Sequence, residues 1–219
     1  MKVNTMKKKL SLKEQVYRAI KAKIINNEFK PNAPIDEVSL SEMLKVSRTP
    51  IREALNRLER ENFVVLIPMK GARVCDLSIQ SIVNMFRVRK AVEPNLIQLA
   101  CKDIENDKAK LLEFKARMQI AIEAQNTEEL HASDYEFHTF LYTRSDNPIL
   151  VSIMQLITDH FQRIRTQEVD VLERSIAGAN EHLEMIDTML EGKIDKIPEL
   201  ILKHINTNED YFIKTFFKR

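Results

Sequence analysis

The sequence predicts a mostly α-helical chain: a basic N-terminal part with a few helices and one β-hairpin, followed by an all-α antiparallel bundle. Three observations carry that expectation. The 219 residues include only three glycines and no tryptophan, and long runs are rich in Leu, Ile, Glu, Lys and Met, a composition that favours helix over sheet. Apolar residues recur at three- and four-residue spacing along most of the chain. Short β-branched runs cluster in one place, "FVVLI" and "ARVC", separated by "PMKG".

The N-terminal elements follow in order. "SLKEQVYRAIKAKIINNEF" sets Leu12, Val16, Ile20 and Ile24 at helical spacing behind Ser11, a capping residue, with Glu14 three positions on as the partner of a capping box. "KPNAP" ends that helix. "DEVSLSEMLKV" supplies Val38, Leu40, Met43 and Leu44 for a short second helix, and a tight connection at Lys45–Ser47 leads into a third. There Ser47 or Thr49 can cap, Pro50 falls in the first turn, and Ile51, Leu55 and Leu58 form one apolar stripe. Arg48, Arg52 and Asn56 stand on another face at i, i+4, i+8. Arginines at the start of the second helix of a helix-turn-helix sit where base edges are read, because guanidinium can bond guanine O6 and N7 together; the alternative is a solvated charged helix start. The hairpin that follows, with Lys70 and Gly71 near its tip, reads as a wing able to reach the minor groove or its phosphates.

Charge divides the chain in the same way. Residues 1–75 hold 16 Lys and Arg against 8 Asp and Glu; the remainder holds 18 against 24. A basic module joined to an acidic one suits a nucleic-acid-binding unit with a separate partner domain. No stretch approaches eighteen uncharged apolar residues, and the basic start "MKVNTMKKKL" is not followed by a signal-peptide core, so a cytoplasmic chain without a membrane partner is expected. Cys75 and Cys101 lie in different segments without CxxC spacing and read as small buried hydrophobes.

From Ser78 onward the periodicity is helical through about six segments with short connections, the arrangement of an antiparallel bundle. The segment "NPILVSIMQLITDHFQRIRTQEV" is expected to be helical throughout, and Pro94 to interrupt the first helix of the bundle and kink it unless neighbouring residues compensate. Of five histidines, His138, His182 and His204 fall on inward faces, and "DYEFH" places Asp134 and His138 at i, i+4. Each alone would be an ordinary core residue. Together they can form a three-imidazole, one-carboxylate site whose donor chemistry suits Zn²⁺, Ni²⁺, Mn²⁺ or Fe²⁺.

Residues 11 to about 76, through "LSEMLKVSRTPIREALNRLERENFV" and "PMKGARV", resemble the winged helix-turn-helix of GntR-family bacterial transcription regulators. The resemblance implies groove contacts by Arg48, Thr49 and Arg52 and a wing contact at Gly71 with Lys70 beside it. Val38 departs from members that carry a further basic residue there. "RVRKAVEP", the D-x3-H motif, "EH" and a final histidine are similar to the FCD effector domain of the FadR subgroup. In its metal-containing members the implied ligands are Asp134, His138, His182 and His204. The resemblance further implies a homodimeric repressor that binds a double-stranded DNA operator through residues 1–76. Residues 77–219 would bind a small organic-acid effector, with Arg89 as its carboxylate partner; pairing of Arg89 with Glu93 at i, i+4 is the structural alternative. A metal-dependent enzyme tethered to a DNA-binding module is the competing reading. It is disfavoured because no HExxH and no obvious spare acid/base accompany the histidines.

Overall fold

The computed structural model describes residues 10–165 and 172–217, which divide into two compact units after Leu77, the segment beginning at Gln162 grouping with the first. Among the described residues, no helix is long and apolar enough to cross a membrane.

The first unit contains α1 (Leu12–Ile25), β1 (Pro34–Ile35), α2 (Glu37–Leu44), α3 (Arg48–Arg60), β2 (Val64–Ile67) and β3 (Gly71–Val74). Val16, Ile20 and Ile24 of α1 are buried with Ile51, Leu55 and Leu58 of α3, as their spacing requires. Ser11 caps α1, accepting from the Glu14 amide at 3.3 Å. The reciprocal half of the capping box does not form. Glu14 instead accepts from Arg18 of the same helix at 2.6 Å and from Arg57 of α3 at 2.8 Å, because a charged guanidinium is a stronger donor than a backbone amide.

Two expectations are corrected in this unit. Val38 and Met43 of α2 are 40% and 45% exposed, and Leu40 is the buried apolar anchor of that helix. The "KPNAP" segment does more than end α1. Pro34 and Ile35 form β1, which pairs antiparallel with β3 and gives the sheet order β1-β3-β2.

The second unit is built from α4 (Ile79–Ala100), a 3₁₀ segment (Cys101–Asp107), α5 (Lys108–Glu123), α6 (Thr127–Arg144), most of α7 (Pro148–Arg165), α8 (Leu172–Leu190), a short 3₁₀ turn (Ile194–Lys196) and α9 (Ile197–Phe217). Pro94 does not end α4. Proline removes one intrahelical hydrogen bond, and its ring is buried within a continuous 22-residue helix. The expected continuation of α7 through Val169 lies outside the described residues. Phe86 of α4, Phe161 of α7 and Phe212 of α9 form an aromatic cluster, with ring centroids 4.8 to 5.8 Å apart. Cys101 is buried and its thiol is pushed up to about 12 by that burial, which leaves it inert.

Candidate functional site

In the first unit, Lys45 supplies the turn of the helix-turn-helix by adopting a left-handed φ of 54° at the end of α2, its amide donating to the Ser41 carbonyl. That turn presents the start of α3. Arg48, Thr49 and Arg52 are exposed there, with Asn56 on the same face. Ser47 holds the N-cap position, but its side chain makes no bond to the helix, so the first-turn amides face outward as phosphate donors would. Arg52 is not idle: its Nε donates to Glu37 of α2 at 2.7 Å.

The wing tip is Pro68-Met69-Lys70. It is closed by the Lys70 amide on the Ile67 carbonyl at 3.0 Å, with the Lys70 side chain exposed. Gly71 has a structural reason of its own. It adopts φ +83°, and a Cβ there would stand 2.6 Å from the Ile35 carbonyl oxygen of β1. Gly71→Ala is therefore expected to destabilise the protein by about 1 kcal/mol or more, read as a lower midpoint in chemical denaturation. Lys70→Ala should leave that midpoint unchanged.

In the second unit, Asp134 and His138 of α6 meet His182 of α8 and His204 of α9, with one ligand atom from each lying within 4.8 Å of the others. The three histidines are buried. The Nε2 atoms of His138 and His182 face each other at 3.1 Å, and Asp134 Oδ1 lies 3.9 and 3.7 Å from them. Donors bound to one ion at about 2.1 Å stand about 3.0 Å apart at right angles and about 3.4 Å at the tetrahedral angle, so a small contraction brings these atoms into one coordination sphere.

The surrounding residues set the tautomers. His138 Nδ1 lies 3.0 Å from Glu93 Oε1 of α4, so its proton sits on Nδ1 and its Nε2 lone pair faces His182. That lone pair can accept a proton shared with His182 Nε2, or be given to a cation held to one side of the two nitrogens. Glu93 is fully buried; it also accepts from Arg89 at 2.7 and 3.2 Å and from Tyr142 at 2.7 Å. Burial alone would push its carboxyl up, but the Arg89 guanidinium and then His138 hold it well below the usual carboxylate range.

His204 has a similar partner: Nδ1 lies 2.6 Å from Glu181 Oε2. Burial tends to raise Glu181, but His204 and Arg174 bring it down to about 2. Burial also pushes the His204 imidazole below its usual value, against the pull of Glu181, which favours the neutral ring that a metal requires. The residues present fit a divalent cation, and they form the one such group among the described residues.

The structure thus places the four expected ligands together and puts Arg89 on Glu93, the alternative that the i, i+4 spacing had left open. His160, also buried, stands outside the cluster. Glu93 entered the sequence reading as a partner for Arg89 and as part of "RVRKAVEP", and Glu181 only as the first residue of "EH", neither with an orienting role; Arg174, Tyr142 and Asn208 were not singled out. Tyr142 and Asn208 stand at i, i+4 from His138 and His204, a spacing the sequence does display. Glu93 with His138, Glu181 with His204 and Arg174 with Asn208 are matched across helices, where sequence spacing carries no signal.

Residues 12–74 match the family described as "Bacterial regulatory proteins, gntR family", and residues 84–207 match the FCD domain. The chain belongs to the GntR family and carries an FCD domain. This GntR-family transcription regulator is 29% identical over 191 residues to the Nta operon transcriptional regulator of Aminobacter aminovorans, covering 87% of this chain and 89% of that protein. It is 30% identical over 149 residues to the transcriptional regulator McbR of Escherichia coli K12, covering 68% and 67% of the two chains. The repressor RspR of the same strain is 23% identical over 193 residues, covering 88% and 85%. Among solved structures, E. coli McbR/YncC superposes with a TM-score of 0.79 at 22% identity, over 94% of this chain and 99% of the other. A GntR regulator from Rhodococcus sp. RHA1 gives 0.75 at 18% identity, over 92% and 97%. These two likenesses establish the GntR-type fold with its helical C-terminal domain.

Proposed function

We propose that this regulator is a cytoplasmic homodimer of the FadR type. Residues 1–76 bind a palindromic DNA operator, and residues 77–219 hold a divalent metal ion and a small organic-acid effector that changes operator affinity. The observation that carries the reading is the convergence of Asp134, His138, His182 and His204 in the FCD domain, with His138 backed by the fully buried Glu93 and His204 by the partly buried Glu181. A bound divalent ion would supply a Lewis-acidic centre with one or two positions open beside its four protein ligands.

The chain's own residues divide the remaining work. Glu93 and Glu181 orient His138 and His204. Arg89 shares the electrostatic field of the site, its charge acting on Asp134 and on His204, and stands ready to attract an anionic effector. Arg48, Thr49 and Arg52 read the major groove, while Lys70 and Gly71 bring the wing to the backbone. Two-fold symmetry of the dimer matches two operator half-sites. Like the relative named a repressor, the regulator blocks transcription while bound. A coupling of about 1 to 3 kcal/mol between effector and DNA gives a 5- to 150-fold change in operator affinity.

Elemental analysis with native mass spectrometry of protein purified without chelators tests the metal and the dimer together. His182→Ala should lower metal content, thermal stability and effector response in step, and change effector-free operator binding less. Protein that carries no metal, takes none up on titration and still answers an organic acid would return the histidines to the core.

A further inference from the structure

We propose that Asn208 covers the coordinating lone pair of His204 and must leave it when a divalent cation is taken up, so that the centre closes in two stages. This rests on the metal reading above and concerns how the fourth ligand joins. The amide of Asn208 lies between Arg174 and His204. Arg174 Nε and Nη2 reach Asn208 Oδ1 at 3.0 and 2.8 Å, and Asn208 Nδ2 stands 2.9 Å from His204 Nε2. Guanidinium has donors and no acceptor, so the Asn208 atom facing Arg174 must be oxygen, and the atom facing His204 must be the NH₂ group. Asn208 therefore donates to His204 Nε2, which carries a lone pair. The ring proton is on Nδ1 and is donated to Glu181 at 2.6 Å, and Arg174 in turn grips Glu181 at 3.1 and 2.9 Å.

Both ring nitrogens of His204 are thus engaged, and they are not equivalent. Nδ1 makes a charge-assisted bond to a carboxylate that Arg174 holds in place. Nε2 makes a neutral bond and has the electron pair a metal needs. His138, His182 and Asp134 differ, since their donor atoms already face one another at 3.1 to 3.9 Å. A cation can be met first by those three. His204 joins when its lone pair passes from the Asn208 N–H to the ion, with its Nδ1 proton retained and none released. Asn208 is a positioning residue that opposes closure, because its buried N–H loses an acceptor in the process.

The test uses the full-length protein, stripped of metal and titrated with Co²⁺ at constant pH and salt, following the visible spectrum and competition with a chelating indicator. Removing one neutral hydrogen bond that opposes closure should tighten Co²⁺ binding about 2- to 10-fold in both Asn208→Leu, which keeps the volume, and Asn208→Ala. The spectrum at saturation should match that of the unaltered protein, because the same four ligands are used. His204→Ala should bind more weakly with a different spectrum, and adding Asn208→Leu to it should give no further tightening. A residue that merely supports His204 would give weaker binding in both Asn208 variants. Weaker or unchanged binding there, with the parent protein still taking up Co²⁺, overturns this proposal alone. A parent protein that takes up no Co²⁺ overturns the metal reading and this proposal with it.

Discussion

Glu93→Ala is expected to destabilise the helical domain by about 3 to 5 kcal/mol, because it strands the buried Arg89 guanidinium without its counter-ion. His138 Nδ1 and the Tyr142 hydroxyl lose their acceptor in the same step. Equilibrium denaturation reads the loss directly, and a change below about 1 kcal/mol would show that the pair does not carry the charge balance of this core. The double variant Arg89→Met with Glu93→Leu removes both charges and should recover a large part of the loss, since a buried ion pair is often no more stabilising than an apolar pair of similar volume. The pH dependence follows from the depressed carboxyl. The contribution of Glu93 is fully present above the unfolded-state value of about 4.3 and is lost as pH falls through its lower folded value, so neutral and mildly acid buffers should give the same result.

The second large effect concerns the operator. Arg48→Ala and Arg52→Ala should each cost about 1 to 3 kcal/mol of operator binding at fixed salt and should reduce discrimination between operator and unrelated duplex. Both side chains are exposed, so neither replacement should alter the denaturation midpoint much. Lys70→Ala should weaken operator and unrelated DNA to a similar degree and lower the salt dependence by about one ion. Titration of a fluorescent operator against a scrambled duplex distinguishes the two patterns. Full affinity and selectivity in both arginine variants would remove α3 from the role of reading helix.

Much of this architecture is legible in the sequence because amphipathic helices write their buried faces at regular spacing. Ile51, Leu55 and Leu58, or Val16, Ile20 and Ile24, can be assigned inward without any knowledge of what they pack against. β1 could not be assigned in that way. Two residues cannot display an alternation, and Pro34 and Ile35 become a strand only because β3 passes beside them. The outward placement of Val38 and Met43 shows the converse limit, since an eight-residue helix can be anchored by one residue, Leu40. The four candidate ligands were legible as polar groups on apolar faces. Their orienting partners were not, because Glu181 with His204 and Arg174 with Asn208 are matched across helices by tertiary packing.

In the proposed operator complex, the ion pair between Arg52 and Glu37 makes base recognition by Arg52 an exchange of partners. Arg52 already has a carboxylate at 2.7 Å, and with the arginine exposed and Glu37 only half-buried the solvent-screened pair holds it weakly. A guanine edge, offering two acceptors to one guanidinium, can outbid Glu37; an edge that offers a single acceptor leaves the arginine where it was. Glu37 thus taxes every encounter and is repaid only at the right sequence, which makes it a filter that widens the gap between operator and bulk DNA while lowering affinity for both. Glu37→Gln should raise affinity for unrelated duplex more than for the operator, yielding a protein that binds DNA better and finds its site less well.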